Sequence, residues 1–509
     1  MRKRPSPKRA FHLQSQYPLW FISAALSGCL ACLILTVERA QATDAPNIIY
    51  VICDDLGYGD VNCLAPETCQ IETPGADRLA KEGMIFTDMH SGSSVCTPTR
   101  YGIMTGRYSW RTKLQKGVVT GFAPSLIDAQ RMTVAGFLRT QGYQTAAIGK
   151  WHLNFQYLDP ETQKPLKQQG NQSPPVGSVV PDGPTTRGFD TYHGFHHARN
   201  MEAVVAGTHA TGEKVIAHDD PINMLPRLTN QCVETIASLS QEEEPFFLYV
   251  PLGSPHTPIV PSAEWQGRST LGAYGDFVMQ TDHVLVEILR TLDQYQIADD
   301  TLVIFTSDNG CSKAADIKQL AAKGHIVSGG YRGSKADLWD GGHRIPFIVR
   351  WPRVVAAGSQ SDQLACLNDL FATVASLLGQ ETPIGTCEDS VSFLPALSGN
   401  LIESTRRGVI HHSYSGHFAY RRGPWKLLLA RGSGGWTSPR EKDVPKGSPK
   451  GQLYNLAKDP SEQHNVFEAE PSLVDSLLAD LKHDITHGRS TNGPPSSNDT
   501  DKIVLWKTK

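Results

Sequence analysis

The run NIIYVICDD, residues 47–55, carries the reading of the fold. From Asn47 to Cys53 it offers apolar side chains to both faces of an extended chain, the mark of a strand buried on two sides. It ends at once in two carboxylates, Asp54 and Asp55. Three further apolar runs end in the same way. QTAAIG (144–149) leads into Lys150-Trp151-His152, FFLYVPLG (246–253) leads to Pro255-His256-Thr257, and TLVIFTS (301–307) leads into Asp308-Asn309-Gly310. Helical patterns lie among them. One begins at Thr73-Pro74, with Thr as N-cap and Pro in the first position. Others run from Thr133 to Thr140, stopped by Gly142, from Arg227 to Leu239, and from Ala273 to Tyr295. A strand at Phe347 to Trp351 and a helix at Leu367 to Leu378 close the series. This alternation predicts an α/β domain whose largely parallel sheet is covered on both faces.

In such sheets ligands bind outside the carboxyl ends of the strands. If the four strands are parallel neighbours, their polar ends share one edge. Asp54, Asp55, Asp308 and Asn309 are oxygen ligands, a set that suits Ca²⁺ or Mg²⁺ better than zinc. The plainer reading of each pair is a turn or a helix cap. Arg100, Lys150, His152, His256 and Lys335 supply positive groups for an anion. Cys96 precedes Thr97-Pro98, a helix start, where free N–H groups attract anions and activate a nucleophile. A soft thiolate beside a hard cation is a mismatch, which hints that Cys96 does not remain a cysteine.

Beyond Gly399-Asn400 the pattern changes to short strands at Val409 to Ser413, Phe418 to Arg421, Trp425 to Leu429 and Gln452 to Leu456, then a helix at Ser472 to Ile485. This predicts a small α+β domain with an antiparallel sheet. Residues 432–451 read as a loop and 489–499 as a flexible tail. The segment from Asn154 to Pro226 reads as long and irregular. The resulting division is 1–42, a targeting segment; 43–400, the larger domain; and 401–509, the small one.

A length of 509 residues suits one large domain plus a smaller one, and 39% hydrophobic with 19% charged residues is a soluble globular composition. A formal charge of -3 gives no whole-chain basic field and argues against nucleic acid as a partner. Arg2, Lys3, Arg4, Lys8 and Arg9, the apolar run from Pro18 to Val37, and Ala40-Gln41-Ala42 read as an export signal cut after Ala42. Two rivals stand beside that reading. The apolar run is long enough to stay as an uncleaved anchor, in which case the chain would meet a membrane. Leu26-Ser27-Gly28-Cys29 resembles a lipoprotein box, although the apolar run continues past it. Export, to a periplasm or the outside, permits disulfides. Cys63 with Cys69 and Cys366 with Cys387 can close small loops; free buried thiols are the equal alternative.

Cys96-Thr97-Pro98-Thr99-Arg100, continued by Gly106-Arg107, together with Gly149-Lys150-Trp151-His152, Asp54-Asp55, Pro255-His256, Asp308-Asn309-Gly310, and Lys335 within GSKADLWDGGHRIP, form an ordered set. With Leu453-Tyr454-Asn455-Leu456, Asp459-Pro460 and Glu462, this set resembles the formylglycine-dependent sulfatases of the arylsulfatase type, in the alkaline phosphatase superfamily, from Pro46 to about Asn465. The resemblance implies an alkaline-phosphatase-like α/β fold, a large mixed, mostly parallel sheet sandwiched by helices, plus the small C-terminal α+β domain. It implies that a formylglycine-generating maturation enzyme oxidises Cys96, and that the hydrate attacks sulfur. Asp54, Asp55, Asp308, Asn309 and the modified Cys96 would hold Ca²⁺, with Mg²⁺ the other candidate, and Asp308 would help to take the proton. Arg100, Lys150 and Lys335 would neutralise the sulfate, His256 would protonate the leaving alcohol, and His152 would deprotonate the second hydroxyl to expel sulfate.

The expected substrate is a sulfated small molecule or, more in keeping with export and a second domain, a sulfated carbohydrate. His196, His197, Arg199 and Asn200 are candidates for a sugar pocket or for a surface loop, and His417, Arg421 and Arg422 for the rim of the site. Two other functions remain in play: a phosphonate or phosphodiester hydrolase of the same superfamily, and an inactive glycan-binding protein.

Overall fold

The computed structural model describes residues 45–168 and 172–507, and every structural statement below concerns those residues. The export signal, the anchor and the lipoprotein box all fall outside them. Among the described residues no helix is long and apolar enough to cross a membrane.

The strands, in chain order, begin with β1 (Asn47–Asp54), β2 (Met84–Phe86), β3 (Met89–His90), β4 (Gln144–Lys150) and β5 (Val179–Val180). Next come β6 (Thr191–Phe195), β7 (Ala203–Thr208), β8 (Gly212–His218), β9 (Phe246–Pro255), β10 (Thr301–Ser307), β11 (Phe347–Arg350), β12 (Ser359–Ser361) and β13 (Ala365–Cys366). The C-terminal part adds β14 (Val409–His412), β15 (Phe418–Arg422), β16 (Trp425–Leu428) and β17 (Gln452–Asn455). The longer helices are α1 (Pro74–Glu82), α2 (Cys96–Thr105), α3 (Val134–Thr140), α4 (Pro221–Leu239), α5 (Ala273–Gln294), α6 (Leu370–Leu377) and α7 (Pro471–Thr486).

Eleven of the described strands join in one mixed sheet, ordered β12-β2-β11-β10-β1-β9-β4-β6-β7-β8-β5. Its centre, β10-β1-β9-β4-β6, is parallel, and antiparallel strands flank it on both sides. In β1 every residue after Asn47 is buried, as a run of apolar residues on both faces requires. Ile49, Val51 and Cys53 point into a core with Leu79 of α1, Leu228 and Ile236 of α4, and Leu285 and Ile288 of α5. Each such side chain contributes about 1.5–3 kcal/mol of burial. On the other face Tyr50 lies beside its register partner Tyr249, ring centroids 6.1 Å apart. The small sheet, β14-β15-β16-β17, is antiparallel throughout. Leu477 and Leu481 of α7 share its core with Tyr420, Leu427 and Leu453, and with Tyr108 and Trp110 from far earlier in the chain.

Several expectations need correction. Helix α1 does begin at Pro74, but the Thr73 side chain caps nothing. Asp282 of α5 accepts instead from Gly75 N at 2.7 Å and Ala76 N at 2.8 Å. Helix α4 starts six residues before Arg227, because Asp220 caps Ile222 N at 3.0 Å and Pro221 takes the first position. The internal Pro226 forgoes one hydrogen bond without ending the helix. The stretch read as irregular holds β5 to β8, which extend the sheet. The tail is no free end: Arg107 donates to Ser497 O at 2.9 Å and to Asp499, and Arg111 to Asn498 Oδ1 at 3.0 Å, so two buried guanidiniums hold it down. Cys63, Cys69, Cys366 and Cys387 are free thiols, so the unbridged alternative holds.

Candidate active site

Strands β10, β1, β9 and β4 are adjacent and parallel, so their four polar ends meet at one edge. A register shift in β1 between Ile52 and Asp54 sets Asp54 opposite Pro255, beside His256. Asp308 N donates to Cys53 O at 3.0 Å, which ties the β10 end to the β1 end. Helix α2 enters this edge N-terminus first, and Cys96 is its first residue. All ten residues of α2 are buried, and Gly106, at φ 62°, closes it in the left-handed conformation that glycine adopts without strain.

The carboxylates form a tight, buried group. Asp54 Oδ1 accepts from the Cys96 thiol at 3.3 Å, while its Oδ2 pairs with the Lys150 ammonium. Asp55 Oδ1 accepts from Asn309 Nδ2 at 2.7 Å and faces Lys335 Nζ at 2.5 Å. Asp308 Oδ2 takes Arg100 Nε at 3.0 Å and Nη2 at 2.8 Å. Burial alone would raise the Asp54 carboxyl, but Lys150, His256 and Arg100 hold it well below the usual carboxylate range. Burial and the neighbouring Asp54 charge push Asp308 upward.

Two acceptors in this group have no partner, Asp55 Oδ2 and Asn309 Oδ1. Unpaired buried acceptors are costly, and these two sit in a set of oxygen donors. Ligand atoms of Asp54, Asp55, Cys96 and His256 lie within 4.8 Å of one another. The oxygen donors there, the Asp54 and Asp55 carboxylates with the unpartnered Asn309 Oδ1, fit a hard divalent cation, whereas the thiol does not.

A cavity of about 260 Å³ opens onto Cys96 and is lined by Lys150, His152, His256 and Lys335. His152 Nε2 donates to Val119 O at 3.0 Å, which leaves a bare, buried Nδ1. Burial, with Lys150 and the neighbouring His197, keeps its pKa well below the ordinary histidine value. His256 anchors Nδ1 on Thr257 O at 2.6 Å and turns Nε2 toward Asp55 Oδ2 at 3.7 Å. Burial lowers its pKa, while Asp54 and Asp55 oppose that shift. Burial works against the Lys335 charge, yet Asp55 and Cys96 raise its pKa above the ordinary value. Burial also raises the Cys96 thiol, and Asp54 adds to that, so the unmodified residue is neutral.

Matched against known families, residues 46–380 fit the sulfatase model. The chain belongs to the sulfatase family. An N-acetylgalactosamine-6-O-sulfatase of Bacteroides thetaiotaomicron is 31% identical over 89% of this chain and 95% of its own length. Human steryl-sulfatase is also 31% identical, over 75% of each chain. A solved structure from work on glycosaminoglycan metabolism by Bacteroides thetaiotaomicron superposes with a TM-score of 0.73 at 29% identity, covering 86% of this chain and 99% of that one. The protein is therefore a hydrolase of sulfate esters with an alkaline-phosphatase-like fold.

In this sulfatase Asp54, Asp55, Cys96, Lys150, His152, His256, Asp308, Asn309 and Lys335 converge on one edge. Arg100 stands apart. It is fully enclosed and does not line the cavity; its remaining donors go to Lys150 O at 3.1 Å and Leu252 O at 3.4 Å. His197 and Arg199 reach the cavity wall, whereas His196 and Asn200 are buried outside the lining. His417, Arg421 and Arg422 do not reach the rim, because they are held by Leu429 O, Asp88 and Asp480. Tyr414 and Trp436 line the cavity in their place. Sequence reading missed both, and the only signal was a lone tryptophan in a loop otherwise rich in Gly, Ser and Pro.

Proposed function

We propose that this sulfatase removes sulfate from a sulfated carbohydrate, with Cys96 as the precursor of its nucleophile. One observation carries the reading. A neutral, buried thiol at a helix N-terminus touches Asp54 Oδ1 and Lys335 Nζ, 3.3 and 3.5 Å away, beside two buried oxygens without partners. A thiol has no use for those hard neighbours, whereas an oxygen nucleophile does. When present, formylglycine at this position and a Ca²⁺ or Mg²⁺ ion supply an oxygen nucleophile and a Lewis acid.

The chain's own groups then have distinct tasks. Asp54, Asp55, Asp308 and Asn309 hold the cation. Arg100 is fully buried, does not line the cavity and is paired with Asp308 and Asp54, so its task is to fix those carboxylates rather than to touch sulfate. Lys150 and Lys335 offer ammonium groups to sulfate charge as it shifts in the transition state. His256, fixed through Nδ1, presents Nε2 to the leaving alcohol; as general acid it acts in its doubly protonated form, which the nearby Asp54 and Asp55 charges favour against burial, and it is left neutral after giving up the Nε2 proton. His152, kept neutral, offers Nδ1 as the proton acceptor that resets the site. The maturation enzyme is the required protein partner, and export is the compartment this chemistry is read for. Residues 401–509 are proposed as a subdomain that completes the cavity wall.

Relatives of equal identity bear carbohydrate and steryl names, and the carbohydrate relative aligns over more of this chain. The test compares matured wild-type protein with Cys96→Ala on N-acetylgalactosamine 6-sulfate, 4-nitrophenyl sulfate and 4-nitrophenyl phosphonate. The mass of the Cys96 peptide should be measured first to establish maturation. Sulfate release by the wild type and its loss in the variant are expected. Wild-type turnover in Cys96→Ala would sink the mechanism, and faster phosphonate cleavage would favour the phosphonate hydrolase reading.

A further inference from the structure

The cavity at Cys96 is larger in its chemistry than a sulfate group needs. Tyr414 and Trp436 line it together with Arg199. Their rings lie 5.1 Å apart, centroid to centroid, at 57°. Tyr414 is 37% exposed and Trp436 is half-buried, so both keep open surface.

Neither ring hangs on a loose loop. Tyr414 N donates to Ala336 O at 3.2 Å, and Gly117 N donates to Tyr414 O at 2.8 Å. Trp436 N and Thr437 N donate to the buried Asp337 Oδ1 at 2.8 and 3.0 Å. Gly435 passes so close to the Lys335 loop that a Cβ there would meet Ala336 O at 2.1 Å. Both aromatics are thus fixed to the residues that follow Lys335, at a set offset from it.

Exposed cations accompany them. Lys313 Nζ stands 5.1 Å from the centre of the Trp436 ring. Neither Lys313 nor Arg199 has a carboxylate partner among the described residues. A rigid, partly exposed aromatic pair gives the C–H face of a sugar an apolar surface to stack on. Two cations without carboxylate partners, Arg199 on the cavity wall and Lys313 over the Trp436 ring, favour a sugar that is itself anionic.

We propose that Tyr414 and Trp436 form a stacking platform for the sugar next to the one that carries the reacting sulfate, and that Arg199 and Lys313 select a uronic acid in that place. The inference rests on the carbohydrate reading above.

The test uses matured wild type, Trp436→Ala, Trp436→Phe and Lys313→Ala. Substrates are hexosamine sulfates, N-acetylgalactosamine 6-sulfate first, each as the free sugar and linked to glucuronic acid; 4-nitrophenyl sulfate reports basic sulfatase action. The readout is the ratio of kcat/KM for linked over free sugar. A wild-type preference of about tenfold for the linked form is expected, from the area one stacked ring buries. Trp436→Ala should lose most of that ratio and Trp436→Phe should keep most of it. Lys313→Ala should lower it about threefold at low salt and hardly at all at high salt. No wild-type preference, or an equal loss on both sugars in Trp436→Ala, overturns the platform. Cleavage of the nitrophenyl ester without cleavage of any sugar overturns it while sparing the sulfatase reading; no cleavage of anything overturns both.

Discussion

Among single residues, Arg100 best shows how position decides a role. Its guanidinium forks onto Asp308 through Nε and Nη2, and its other donors cap Lys150 O and Leu252 O. A lysine has one point of donation and cannot span these groups. On the proposed reading, Arg100→Lys leaves Asp308 badly oriented, and Ca²⁺ affinity should fall about 10- to 100-fold. Titrating Ca²⁺ while following thermal unfolding measures this without relying on turnover. Wild-type affinity in the variant would show that Arg100 does not orient a cation ligand. Sequence alone ranked Arg100 with the sulfate-facing groups, because a positive charge in a signature carries no direction.

At the level of elements, helix α1 depends on a residue 207 positions away. Asp282 takes two N–H groups at its start, both buried. Asp282→Ala leaves these donors unsatisfied and should cost about 2–4 kcal/mol in denaturant unfolding. A loss under about 0.5 kcal/mol, the level of a neutral surface change, would mean that Thr73 or water takes over the cap. Central strands and long helices were legible because their periodicity reports burial directly. Strands β5 to β8 were not. Their pattern is short and mixed, and what makes them strands is the neighbour on which they pair.

Across the whole molecule, three histidines from distant parts of the chain meet in a seam where the small sheet packs on a two-stranded β3–β13 ladder and the turn of helix at Asp340–His343. His90 of β3, His411 of β14 and His343 stack with centroids 5.0 and 4.4 Å apart. His90 is held by Asp88 and His343 by Ser91 O, while neither ring nitrogen of His411 has a partner. Burial lowers the pKa of all three below the ordinary value of 6.5. Above pH 6.5 both folded and unfolded forms are neutral, so these groups leave stability unchanged there. Below it the unfolded chain takes up protons that the folded seam refuses, and stability falls with pH. His411→Phe keeps the stack and removes one such group, so its melting temperature should drop less than that of the wild type between pH 7 and pH 5. Parallel profiles would show that the seam does not titrate.

The α/β alternation, the shared edge and the grouping of acids, lysines and histidines were all readable from the chain. Rare polar residues directly after apolar strands have few structural reasons to recur, and parallel strands place their ends on one side. The direction of Arg100, the Asp282 cap, the tail that meets Arg107 and Arg111, and the aromatic pair at the cavity were settled by folding. Each depends on a partner far along the chain, and distance in sequence carries no information on which distant residue will arrive. Local pattern can state that a group must be satisfied, while closure of the whole molecule chooses by what.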